Sequence, residues 1–115
     1  MIEFDEYKVK LNNIRPKLDA LADSLGIEAA KEEIDRLHAQ IDSEGFWDNQ
    51  EISQKVMKQS RTLEAKVARY EKMCSHWEDL MTICEMAIEE NDDSMLDELK
   101  EGYTALEEEM ERERL

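Results

Sequence analysis

A chain of 115 residues is one domain's worth of sequence, long enough to bury a modest core. Its 30 acidic residues against 15 basic ones give a formal net charge of −15, which disfavours a broad phosphate-binding surface. Three glycines and one proline leave little material for sheet corners, and the regular apolar stripe through a 39% charged chain excludes a disordered acidic tail.

The first predicted element is a helix with the stripe Phe4, Tyr7, Leu11, Ile14, Leu18, Leu21 and Leu25, spaced alternately by three and four. Pro16 falls opposite that stripe, where its ring leaves the apolar face undisturbed. Gly26 suits a left-handed terminating residue. A second stripe, Ile27, Ala30, Ile34, Leu37 and Ile41, does not continue the phase of the first, so Gly26 marks a joint.

An aromatic turn follows, Gly45-Phe46-Trp47-Asp48-Asn49-Gln50-Glu51-Ile52. With Asp48 as N-cap, Glu51 would complete a capping box, and Trp47 and Ile52 would form a hydrophobic staple. The third helix runs to about residue 90 with the stripe Val56, Ser60, Leu63, Val67, Tyr70, Cys74, Trp77, Met81, Cys84 and Ile88. At 1.5 Å per residue it is about 60 Å long and must pack along its length. Asn91-Asp92-Asp93-Ser94 offers N-caps for a fourth helix with the stripe Leu96, Leu99, Tyr103, Leu106 and Met110.

The short junction makes the fourth helix antiparallel to the third. The fold expected is all-α, an antiparallel bundle of about four helices with one long central helix and coiled-coil-like packing. The second helix should lie beside the N-terminal half of the third. The first should lie beside its C-terminal half, completing three helices with the fourth. A fold-back hairpin at Gly26 is the competing geometry. Helical character persists through Glu111-Arg112-Glu113-Arg114-Leu115, with no C-cap, which points to a piece of a longer protein.

Charge is uneven. Residues 1–30 carry four basic and six acidic side chains, residues 31–72 eight and nine, and residues 73–115 three and fifteen. Within this, residues 55–72 hold six bases and two acids. Lys55, Lys58, Arg61, Lys66, Arg69 and Lys72 fall on the side of the third helix away from its stripe, a candidate docking face for RNA phosphate or acidic protein. An ordinary solvated face is the plainer reading of the same residues.

Catalytic signatures are missing. Cys74 and Cys84 lie ten residues apart on one helix, about 15 Å and beyond disulfide reach, and read as core residues in a reducing compartment. His38 and His76 read as surface residues without ligand spacing, and the glycines at 26, 45 and 102 are too isolated for a phosphate loop. Met73, Met81, Met86, Met95 and Met110 lie on or beside stripes and read as packing. No cofactor, metal or small-molecule substrate is expected. Neither a signal peptide nor an apolar run of membrane-spanning length is visible, so a cytoplasmic location is expected.

The turn Phe46-Trp47-Asp48, followed by Ser60-Arg61-Thr62-Leu63-Glu64, resembles the N-terminal helical domain of bacterial class I peptide chain release factors of the release factor 2 type. Leu18 to Leu25 ahead of Ala29-Ala30-Lys31-Glu32-Glu33-Ile34, Ala87-Ile88-Glu89-Glu90-Asn91-Asp92 and Ala105-Leu106-Glu107 extend the resemblance along the chain. Where many relatives have Leu-Asp at the first junction, this chain has Leu25-Gly26, which argues against a programmed frameshift at that codon.

The resemblance implies a full-length factor that reads UGA or UAA on the ribosome and triggers release. Its Ser-Pro-Phe and Gly-Gly-Gln motifs belong to other domains and do not occur here. For this domain it implies a non-catalytic, monomeric docking role toward the ribosomal stalk base near protein L11, linked to release factor 3. A self-contained acidic coiled-coil adaptor or holdase-like chaperone is the rival, and an RNA-binding module resting on the basic face is a third reading.

Overall fold

The structure, a computed structural model, describes residues 1–114. Helix α1 spans Ile2–Leu25, α2 Ile27–Ile41, α3 Gln50–Glu90 and α4 Leu96–Glu113, with one 3₁₀ turn at Phe46–Asp48. Among the described residues there is no strand, and the expected all-α bundle is what forms. The molecule is 62 Å long, which is the length of α3 and makes that helix the spine.

Both α1 and α2 pack on α3 rather than on each other, so the fold-back hairpin at Gly26 is not adopted. Gly26 takes φ 66° and ψ 41°, with its N–H on the carbonyls of Ala22 and Asp23. A Cβ there would meet nothing within 4 Å. The demand for glycine is therefore conformational, not steric. Pro16 sits exposed inside α1, as its position opposite the stripe predicts.

Two cores result. The larger joins Phe4, Leu11, Ile14, Leu18, Leu21 and Leu25 of α1 to Met73, Leu80, Met81 and Cys84 of α3 and to Leu99 and Leu106 of α4. The smaller is a hairpin core of Leu37, Phe46 and Val56, with Ile41 and Leu63 against it. Three α3 side chains donate to α1 carbonyls seven residues apart: Trp77 to Leu11 (2.6 Å), Tyr70 to Leu18 (3.1 Å) and Lys66 to Leu25 (3.0 Å). Hydrophobic burial is non-directional, so these bonds fix the register of α1 on α3.

Beyond Arg69 the spine presents two apolar faces. One, including Trp77, meets α1. A second, with Met73 and Leu80, meets α4 so closely that a Cβ on Gly102 would lie 2.6 Å from Leu80 Cδ2. A single stripe for α3 understates this.

Four local expectations change. The N-cap of α3 is Asn49, not Asp48: its side chain accepts the Ile52 N–H at 3.1 Å. The 3₁₀ turn holds Asp48 one residue short of the helix, so the Asp48–Glu51 capping box does not form. Trp47 and Ile52 are 64% and 49% exposed and form no staple. At the other junction, Asn91 (φ 51°) ends α3 instead of capping α4, whose N-cap Met95 makes no side-chain bond. His76 is half-buried, because α4 covers the flank of α3 that the single stripe left outside.

Candidate docking surface

The six predicted basic residues divide in the structure. Lys66 turns inward to the Leu25 carbonyl and caps the end of α1. Arg69 donates to Glu113 of α4 at 2.8 Å. Lys72 borders a groove with Glu108, Glu109 and Glu113, so the acidic last turns of α4 lie along this end of the basic stripe. Lys55, Lys58 and Arg61 remain exposed and make no ion pair among the described residues. They occupy the half of α3 that only α2 accompanies, at i, i+3 and i+6, and so share one side of the helix.

Beside them, the α2–α3 hairpin carries a groove of about 280 Å³ lined by His38, Asp42, Met57, Ser60, Arg61 and Glu64. Glu64 bridges here, accepting from Ser60 Oγ (3.3 Å) and bonded to His38 Nε2 (2.8 Å). The Ser60 hydroxyl donates to the carboxylate and is itself buried between the two helices.

The tip of the same hairpin is held from inside. Ser53 Oγ donates to the Phe46 carbonyl (2.7 Å) with the Asn49 carbonyl at 2.8 Å, Gly45 takes φ 78°, and Phe46 is buried. The Trp47 ring stands edge-on to Phe46 at 4.8 Å and faces solvent. Sequence reasoning missed this surface by assigning Trp47 to a staple. The signal was the side-by-side Phe46 and Trp47, of which a tight turn cannot bury both.

At the opposite end α4 is clasped by His76–Glu109 (2.8 Å), Arg69–Glu113 and Lys100–Glu3 (3.0 Å). The Glu3 carboxylate raises the Lys100 pKa by hydrogen bonding and charge. Burial raises the Tyr103 and Cys84 pKa values, and it is the main cause of a strong rise at Tyr70, where a hydrogen bond with Cys74 adds to it. Cys84 is in the core as predicted and Cys74 is half-buried; both thiols are free. Met73 and Met81 are buried, whereas Met86 and Met95 are exposed. A further groove of about 530 Å³ runs between α1 and the end of α4, lined by Ile14, Leu21 and Met110 among others.

Among the described residues no group of three or more His, Cys, Asp or Glu could hold a metal ion, and no helix is long and apolar enough to cross a membrane. The chemistry on offer is surface recognition: an unpaired cationic row, a fixed exposed indole and acidic helix faces.

Comparison with known proteins adds the family. Residues 30–115 match the PCRF domain model. The chain is 29% identical over 111 residues to peptide chain release factor 2 of Staphylococcus saprophyticus, 96% of this chain and 30% of that one. It is 28% identical over 114 residues to peptide chain release factor 2 of Lactiplantibacillus plantarum, 99% of this chain and 30% of that one. With peptide chain release factor 2 of an Exiguobacterium species it shares 33% over 110 residues, 90% of this chain and 30% of that one. The chain thus spans about a third of the length of these curated relatives. No solved structure matches it. The chain belongs to the PCRF-domain family, as the Phe46-Trp47-Asp48 turn led us to expect, and resembles peptide chain release factor 2 along nearly all its length.

Proposed function

We propose that this chain is a non-catalytic docking domain of a translation release factor, acting as a helical spacer that positions the factor on the ribosome. The observation that carries this is the PCRF match over residues 30–115, on an all-α rod built along one long helix. The relatives are named as release factors, so the whole-protein activity inferred is termination at UGA and UAA, with the chemistry residing in other domains. The stalk base near protein L11 and release factor 3 are the partners we infer, for a monomeric domain working in the cytoplasm.

The docking face we infer is the basic row of α3. Of Lys55, Lys58, Arg61, Lys66, Arg69 and Lys72, the three that neither bond internally nor border the acidic turns of α4 carry the proposal: Lys55, Lys58 and Arg61. Co-sedimentation of the chain with 70S ribosomes tests it. Combined Lys55→Glu, Lys58→Glu and Arg61→Glu should weaken association about tenfold, most at low salt. Unchanged retention returns that row to a solvated face. Failure of the unaltered chain to pellet with ribosomes overturns the docking role itself.

A further inference from the structure

Trp47 sits on the outside of a turn whose inside is well fixed. Phe46 is 7% exposed in the hairpin core, Ser53 binds the Phe46 carbonyl from below, and Asn49 caps α3 immediately after the turn. The indole is therefore presented by a rigid support and loses little freedom on binding. Ile52, also exposed, lies in the first turn of α3. Tryptophan is enriched among residues that dominate binding energy, as a large flat surface with a single polar atom.

The charge around it is one-sided. Residues 42–51 contain Asp42, Glu44, Asp48 and Glu51 and no Lys or Arg. All four carboxylates are exposed, and none is in an ion pair among the described residues. This rim repels nucleic-acid phosphate and a second copy of the same tip alike. It complements a basic surface. The basic row begins only at Lys55, outside this decapeptide.

We infer that the α2–α3 tip is a protein-docking point, in which Trp47 enters an apolar pocket on a basic protein whose cations face the surrounding carboxylates. This rests on the ribosome-docking reading and deepens it, assigning the tip a protein contact distinct from the row at Lys55, Lys58 and Arg61.

Photo-crosslinking tests it, with p-benzoylphenylalanine at position 47 of the whole 115-residue chain and purified large ribosomal subunits as the probe. The expected adduct resists ribonuclease, is lost to protease, and contains a protein rich in Lys and Arg. An adduct to ribosomal RNA, or no adduct from a chain that co-sediments, overturns the inference and leaves the docking role standing. In parallel, Trp47→Ala should lower affinity about tenfold and Trp47→Phe should recover part of it, with helical circular dichroism unchanged because the side chain is exposed. Equal affinity of Trp47→Ala and the unaltered chain overturns the inference as well. No binding by the unaltered chain would remove both the inference and the docking role.

Discussion

Tyr70 shows how one residue ties register to proton binding. Its hydroxyl donates to the Leu18 carbonyl, and its half-buried position raises its pKa chiefly by desolvation, with help from Cys74. The folded chain holds this proton more tightly than the unfolded chain does. Stability is therefore intact below pH about 10 and falls as pH rises beyond it. Tyr103 shifts in the same direction and contributes to the same alkaline loss. Tyr70→Phe should cost about 1 kcal/mol at pH 8 through the lost hydrogen bond. It should also flatten the decline above pH 10, and urea melts at the two pH values measure both effects. A decline as steep as that of the unaltered chain would show that Tyr70 ionises freely. The basic residues teach a related point. Charge and helical phase put all six forward as one candidate face, but an internal acceptor at Leu25 and the carboxylate of Glu113 claim two of them. Neither acceptor is adjacent in sequence, so no local pattern could reveal it.

At the scale of the element, α1, α2 and α4 were legible because each buries one face against the spine. The stripe in α1 matches its buried residues from Phe4 to Leu25, with Tyr7 partly covered. α3 was harder because it changes environment along its length. Its first half meets one helix, and its second half is flanked by two, so Met73 and Leu80 belong to a face that a single periodic stripe cannot include. The aromatic turn was legible as a helix start but not in its register. Asp48 and Asn49 are both good caps, and only the 3₁₀ geometry assigns the role to Asn49. Asn49→Ala should therefore destabilise the chain by about 1 kcal/mol, whereas Asp48→Ala should lie within about 0.5 kcal/mol of the unaltered chain. Chemical denaturation of the two variants decides between them, and the reverse order would restore the capping box.

At the scale of the whole molecule, charge opposes compactness at the α4 end. Residues 73–115 bring fifteen carboxylates to three bases, and α4 runs antiparallel to a spine half that is acidic too. The clasps at Glu3, Glu109 and Glu113 engage only three carboxylates of the chain, and each bridges partly exposed groups that contribute little singly. Self-repulsion then outweighs attraction across this end, and screening should relieve it. Raising NaCl from about 10 mM to about 500 mM shortens the screening distance roughly sevenfold and should raise the melting temperature by several degrees, as about 1 kcal/mol would do in a domain of this size. A melting temperature that falls with salt would mean that the ion pairs dominate instead. The same field bears on recognition, because it repels phosphate from the α4 end while the unpaired row at Lys55, Lys58 and Arg61 lies on the other half of the spine. The distance from Lys58 to Arg69, where α4 begins to cover the spine, is about 16 Å along the helix axis. That is about two screening lengths at physiological salt, so the basic row and the α4 end can carry opposite charge preferences at once.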